Sequence, residues 1–443
     1  MLFYSSNHQS PDVSLAEAVI KGLAPDNGLY MPERIPQLPA SFFDEIASLS
    51  FQEIAFRVAS AIFGDDIPAD ALREIVFDTL SFPCPVVEVS PRVYSLELFH
   101  GPTLAFKDVG ARFMARLLRH FLAASSDKRG EVHVLAATSG DTGSAVANGF
   151  LGVDGIRVHV LYPKGKVSAI QESQFATLGR NVTAIEVDGT FDDCQALVKQ
   201  AFLDTELNSR LLLTSANSIN VARFLPQMFY YFEAYAQLRR EGILTAADKW
   251  VVAVPSGNFG NLTAGLIASR MGLPVSRFIA AGNANRPVPD YLASGVYTPR
   301  PSVATIANAM DVGAPSNFAR ILDLFSNNHD AIAANVQATV TSDSEISETI
   351  RACYDHTGYL LDPHGATAYR ALTHGSTALR PDEIGTFLET AHPAKFVETV
   401  GAILGDTAKV PMPERLIAFT RAPKLSIPLA ASYPAFRTYL QNL

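Results

Sequence analysis

From about residue 14 to 80, apolar residues recur at the three- and four-residue spacing of helices with one buried face, most clearly in Phe51-Gln-Glu-Ile-Ala-Phe-Arg-Val-Ala-Ser-Ala-Ile-Phe63. Ser14 stands where an N-cap is expected, its hydroxyl placed to accept from an otherwise unbonded amide. Pro83 and Pro85 close this stretch. Beyond them, short apolar runs at 132–136, 157–161, 183–187, 211–214, 250–254 and 278–281 alternate with amphipathic segments such as 221–240. That alternation predicts right-handed crossovers and parallel sheet, an α/β architecture. Residues 287–315, rich in proline and glycine, predict an irregular excursion. Farther on, 344–354 reads as helix, Asp362-Pro-His-Gly-Ala-Thr367 as the entry to a short helix, and 385–390 with Ala391-His-Pro-Ala-Lys-Phe396 as strand, turn and helix. The expected division is a mainly helical N-terminal domain (1–82), an α/β region (83–405) and a C-terminal extension (406–443).

Composition narrows the picture. With 443 residues, 48% of them hydrophobic, the chain can bury more than one core. A formal net charge of −9 argues against a large nucleic-acid footprint but leaves room for a local basic pocket, so the expected partner is a small molecule or a protein. Cys84, Cys194 and Cys353 lack paired spacing, which predicts buried small hydrophobes and no metal site or disulfide framework. The opening residues lack a basic segment followed by an apolar one, and no run of about 18 apolar residues occurs, so a soluble cytoplasmic protein without membrane contact is expected.

Three segments carry chemistry. Lys107 ends the approach Phe99-His-Gly-Pro-Thr-Leu-Ala-Phe-Lys107, where Leu104, Ala105 and Phe106 supply an apolar setting that disfavours ammonium and keeps an amine nucleophilic. For an arbitrary lysine, a solvated place at a helix start is the commoner role. Two glycine-rich turns, Thr138-Ser-Gly-Asp-Thr-Gly143 and Ser256-Gly-Asn-Phe-Gly-Asn261, sit between a strand and a helix, where amides can gather on an anion. Glycine needed for turn conformation alone is the plainer reading. Gly257-x-x-Gly260 is not a dinucleotide fingerprint, and no Gly-Lys-Ser/Thr follows. Asp-Thr-Gly-Ser also surrounds aspartic-protease carboxylates, but that chemistry needs two such groups and a second Asp-Thr-Gly is missing. Ser215-Ala-Asn-Ser-Ile-Asn-Val-Ala-Arg223 places amide, hydroxyl and guanidinium donors before a helix; an N-capped helix with a surface arginine reads equally well. Lys164 and Lys166 either add positive potential or are solvated loop charges.

Together and in this order, the segments resemble the pyridoxal-phosphate enzymes of the tryptophan-synthase β family, and within it the threonine-synthase family. Tyr4-Ser-Ser-Asn-His8, Asp26-Asn-Gly-Leu-Tyr-Met-Pro32 and Asp108 after the lysine are similar to its fungal and Gram-negative branch. The resemblance implies fold type II, with two parallel-sheet α/β domains, the cofactor between them and a mainly helical N-terminal region. It implies that Lys107 carries pyridoxal 5'-phosphate and that Ser256, Gly257, Asn258, Phe259, Gly260 and Asn261 cradle its phosphate. Thr390 would face the pyridine nitrogen, where a neutral hydroxyl tunes electron withdrawal. Ser139, Gly140, Asp141 and Thr142 would grip the substrate carboxylate, with the Asp141 side chain turned away or capping the helix. Asn217, Ser218 and Arg223 would bind a substrate phosphate. His364 and His392, both beside proline, would be structural. The implied reaction converts O-phospho-L-homoserine and water into L-threonine and phosphate, with Lys107 moving the Cα and Cβ protons. The same cofactor residues would serve a serine/threonine dehydratase, a β-replacing sulfhydrylase or a noncatalytic phospho-ligand-binding relative. A monomer or small homo-oligomer is expected.

Overall fold

The apolar runs fold as strands joined by crossover helices in a computed structural model that describes residues 1–124 and 130–443. The chain forms two compact units that do not follow chain order. One comprises Met1, 31–106 and 224–411; the other comprises 2–30, 107–223 and 412–443.

Among the described residues, the first unit holds a six-stranded sheet ordered Val336–Val340, Val275–Gly282, Lys249–Pro255, Glu383–Glu389, Val93–Glu97, Val86–Ser90. Neighbours run parallel, except that the last pair is antiparallel. Glu383–Glu389 is buried along its whole length, as an inner parallel strand covered on both faces must be. Trp250 joins this core without orphaning its indole donor, because Nε1 reaches Thr386 Oγ1 at 2.9 Å. The Phe51–Phe63 helix is capped by Ser50 on the Glu53 amide and buries Ile54, Ala55, Val58, Ala59 and Ile62, one stripe of its surface. The amphipathic run at 221–240 is interrupted: Val221–Phe224 is helical, Leu225–Met228 tightens to a 3-10 turn, and Phe229–Arg240 resumes. Pro226 explains the break, since it has no N–H to continue the ladder. Within 287–315 the Pro287–Ser294 helix comes first. The excursion that follows is pinned by the Asp311 carboxylate, whose oxygens accept from Thr305 Oγ1 (2.7 Å), Asn283 Nδ2 (2.8 Å) and Thr305 N (3.0 Å).

Glu233, on the Phe229–Arg240 helix, lines a cavity of about 420 Å³ together with Gln52, Cys84 and Gln237; none of these is a sequence-predicted site residue. Gln237 Nε2 donates to Glu233 Oε1 at 2.8 Å, whereas Oε2 has no hydrogen-bond partner among the described residues. Burial pushes this carboxyl up to about 7, with Gln237 and Arg240 opposing. The folded state therefore binds a proton that the unfolded chain releases near its ordinary value of 4.5, so stability is full below that pH and is lost as pH rises through about 7. Glu233→Gln, neutral at every pH, is expected to be about 2–3 kcal/mol more stable than the parent at pH 8 and under half of that at pH 5. Urea-unfolding midpoints at the two pH values check this; an equal effect at both would remove ionisation as the cause.

The second unit holds, among the described residues, a five-stranded parallel sheet ordered Ile427–Ala430, Val182–Asp188, Ile156–Pro163, Val132–Ala137, Leu212–Ser215. Its edge strand carries Pro428, which an edge tolerates because half of its ladder is unused. The Tyr433–Gln441 helix then buries Phe436 and Leu440 against Leu135, Leu161, Ile185 and Leu197. Tyr439 ends a buried polar chain. His133 Nδ1 lies 3.1 Å from His159 Nε2, and His159 Nδ1 lies 2.7 Å from the Tyr439 hydroxyl. Burial pushes His159 down to about 3, reinforced by the charges of His133 and Arg157. Its folded value is depressed below the ordinary 6.5, so the unfolded chain protonates first and stability present above 6.5 is lost as pH falls toward 3. His159→Gln is expected to remove about 3 kcal/mol of acid destabilisation between pH 6.5 and 4, read as a flatter acid limb of urea stability against pH.

Among the described residues, no helix is long and apolar enough to cross a membrane and no acidic, cysteine or histidine cluster could hold a metal ion. The three cysteines are buried and free.

Candidate active site

Lys107 is the first residue of the Lys107–Ala123 helix and is half-buried. The segment leading to it belongs to the first unit and is held tightly there. Phe106 N donates to Thr390 O at 2.9 Å, Ala105 and Ala391 form an antiparallel bridge, and His392 N donates to Leu104 O at 3.0 Å. Lys395, nearly fully buried, donates Nζ to Thr103 O at 2.8 Å. These bonds hold Leu104 at φ +55°, a left-handed conformation costly for a branched side chain. The direction in which the backbone delivers Lys107 is thus fixed. His392 serves this frame: burial pushes its imidazole down to about 4, leaving a neutral Nδ1 that accepts from Ala394 N at 3.1 Å. The sequence reading missed Lys395, which has no signal beyond its place in the Ala391–Phe396 turn.

The Ser256–Asn261 turn leaves the Lys249–Pro255 strand and enters the Gly260–Arg270 helix. Ser256 N stays on the ladder, donating to Ala281 O at 2.9 Å, and its hydroxyl turns back to Val254 O at 2.8 Å. Asn261 Nδ2 closes the turn on Pro255 O at 2.9 Å, while Asn258 Oδ1 accepts from Ser316 N and Oγ at 2.7 and 3.0 Å. Phe259, at φ +64°, precedes the helix without a side-chain cap; Asn261 Oδ1 takes the Leu262 amide at 2.9 Å, and the rest of the positive amino end can serve an anion. Glycine at 257 answers to close approach: a Cβ there would lie 2.6 Å from Met310 Cα and 3.1 Å from Ala309 O. A phosphate dianion fits this donor set, with Gly257 and Asn258 the half-exposed part of an otherwise buried turn.

In the second unit, Thr138 organises the other turn. Its hydroxyl accepts from Gly140 N (2.9 Å) and Gly143 N (2.8 Å). Gly140 sits at φ +150° with a Cβ position only 2.6 Å from the Gln171 amide, so both conformation and space demand glycine. Asp141 Oδ1 accepts from Gln171 Nε2 at 2.9 Å. That leaves Ser139 exposed and Thr142 half-buried as the open side of the turn. Gln171 lies 30 residues away and gave no sequence signal.

Asn217 and Ser218 are half-buried, in a turn tied by Asn220, whose Nδ2 donates to Val19 O (2.8 Å) and Ser215 O (3.2 Å). Asn217 Oδ1 has no hydrogen-bond partner among the described residues. Arg223 is no surface arginine. It is 2% exposed, and Nη1 donates to Ala216 O, bracing the turn from within. Burial pushes its guanidinium down to about 10, with the Asp108 charge opposing, so it stays protonated at neutral pH. Lys164 and Lys166 are exposed.

These features meet a clear set of relatives. Residues 83–389 match the family described as pyridoxal-phosphate dependent enzyme, and residues 2–80 match the one described as threonine synthase N terminus. The chain belongs to the pyridoxal-phosphate dependent enzymes. Within that class it is a member of the threonine synthases, which are lyases. It is 47% identical to the threonine synthase of Escherichia coli strain K12 over 100% of both chains. The crystal structure of threonine synthase from Escherichia coli superposes with a TM-score of 0.90 at 45% identity, covering 100% of each chain. A pyridoxal-phosphate-bound threonine synthase from Brucella melitensis gives 0.89 at 33% identity, over 100% of this chain and 99% of that one.

Proposed function

We propose that the chain releases phosphate from O-phospho-L-homoserine and adds water to give L-threonine, with Lys107 as the cofactor-bearing and proton-transferring amine. Bound pyridoxal phosphate supplies an electron sink for charge developing on the substrate. Lys107 would hold the cofactor and would move the substrate's Cα proton and then a Cβ proton. Ser256, Gly257, Asn258, Phe259, Gly260 and Asn261 hold the cofactor phosphate, and Thr390 offers a neutral hydroxyl to the ring nitrogen. Ser139, Gly140 and Thr142 take the substrate carboxylate through amides and hydroxyls, while Gln171 keeps Asp141 from repelling it. Asn217 and Ser218 take the substrate phosphate. Arg223 acts through the turn it braces and through its positive charge, which stabilises the departing phosphate. In function the chain divides as 1–82, 83–405 and 406–443; the matched segments support the first boundary, although the compact units cut across it.

The observation carrying this reading is the half-buried Asn217–Ser218 pair directly after Ala216, whose carbonyl the buried, charged Arg223 holds; a dehydratase acting on an unphosphorylated amino acid has no use for it. Phosphate release from O-phospho-L-homoserine should far exceed ammonia release from L-threonine by the purified holoenzyme. Ammonia release matching or exceeding phosphate release would favour the dehydratase.

A further inference from the structure

A buried node in the first unit joins segments that the proposed cofactor site needs. Asp362 caps the Pro363–Thr373 helix, its Oδ1 accepting from Gly365 N at 2.5 Å. Its Oδ2 faces His364 Nδ1 at 3.0 Å, and on the far side of the ring His364 Nε2 accepts from Ala309 N at 3.1 Å. A backbone N–H can only donate, so Nε2 carries the lone pair and the ring proton sits on Nδ1, directed at Asp362. His364 is 2% exposed and Asp362 is fully buried. Ala309 belongs to the Asn308–Met310 turn, the backbone that a Cβ on Gly257 would strike. On the other flank, Asp362 N donates to Glu389 Oε1 at 2.6 Å, one residue before Thr390.

From this geometry we infer that His364 is a positioning residue for the phosphate cradle: oriented by Asp362, it holds the Asn308–Met310 turn against Gly257 and sets the spacing that admits a phosphate group. The inference rests on the reading of Ser256–Asn261 as the cofactor's phosphate site. The turn keeps other anchors, since Asn283 Nδ2 donates to Ala307 O at 3.3 Å and to Asp311 Oδ1 at 2.8 Å. Loss of the imidazole therefore loosens one wall and leaves the excursion in place.

The test compares pyridoxal phosphate with pyridoxal, which lacks the phosphate, by absorbance titration of protein stripped of cofactor. His364→Gln places an amide oxygen where Nε2 was, able to accept from Ala309 N; His364→Asn reaches only the Nδ1 position. His364→Ala and His364→Asn are expected to weaken pyridoxal phosphate binding about ten- to a hundredfold, the loss for one unsatisfied buried donor. Pyridoxal binding should change less than about threefold, and His364→Gln should restore most of the phosphate-dependent affinity, because only the phosphate contact has been disturbed. Equal weakening for both ligands, rescue by Asn as good as by Gln, or unchanged affinities would overturn the inference. Should His364→Ala fail to fold, the Gln and Asn pair still decides. A parent protein that does not prefer pyridoxal phosphate over pyridoxal would instead overturn the cradle reading, and this inference with it.

Discussion

Lys107→Ala is expected to fold, keep its thermal stability and lose turnover by about a thousandfold or more, since it removes both the cofactor's covalent anchor and the amine that moves two protons. The geometry separates this loss from unfolding. Lys107 opens its helix and is half-buried, so truncation leaves no large void, and alanine is a better helix former. Lys395 is the competing amine, but its ammonium is buried and committed to Thr103 O at 2.8 Å. Borohydride reduction of the holoenzyme followed by peptide mapping should therefore label Lys107 and leave Lys395 unlabelled. A label on Lys395, or near-full phosphate release by Lys107→Ala, would reject the assignment.

Much of this arrangement could be read from the chain, and what escaped has a physical reason. The runs that became central parallel strands, such as 250–254 and 278–281, are almost wholly apolar because both faces are covered, which makes them conspicuous. Less visible was Val93–Glu97, whose Ser95 and Glu97 broke the apolar run; both accept from or face polar partners, with the Tyr359 hydroxyl 2.9 Å from each. Ile427–Ala430 lies at a sheet edge and alternates half-buried with exposed positions, so it too lacked the signal of a core strand. Local motifs named Lys107 and the glycine turns because glycine and lysine have functions that spacing reveals. Gln171 and Lys395, which help set those motifs in place, act across 30 and 292 positions and have no local pattern to betray them, while Asp362-Pro-His364 was legible as a helix entry but not in its reach to Ala309, 55 positions away. Arg223 shows the converse: its type was legible, but its burial and its bond to Ala216 O came only with the fold.

Among the glycines of the first unit, Gly365 has the nearest atom to its Cβ position, and that atom belongs to the Glu389 carboxyl. A Cβ at 365 would stand 1.3 Å from Glu389 Oε2 and 2.4 Å from its carboxyl carbon, so the side chain must leave its place. It cannot swing into solvent, since Glu389 is fully buried, and its Oε1 accepts from Asp362 N at 2.6 Å. Burial and the neighbouring Asp362 and Glu97 charges raise the Glu389 carboxyl well above the ordinary range. Gly365→Ala is therefore expected to cost about 3 kcal/mol or more, from overpacking together with an orphaned Asp362 amide. The damage should extend to function. Asp362 orients His364 on one side, and Glu389 adjoins Thr390 on the other, whose carbonyl holds Phe106 at 2.9 Å just before Lys107. Urea unfolding of Gly365→Ala should show the lowered midpoint. Adding Glu389→Ala, which removes the colliding carboxyl, should recover part of it, because the two changes share one space and cannot be additive. A single mutant as stable as the parent, or a double mutant whose losses simply sum, would mean that the carboxyl is not held where Gly365 leaves room for it.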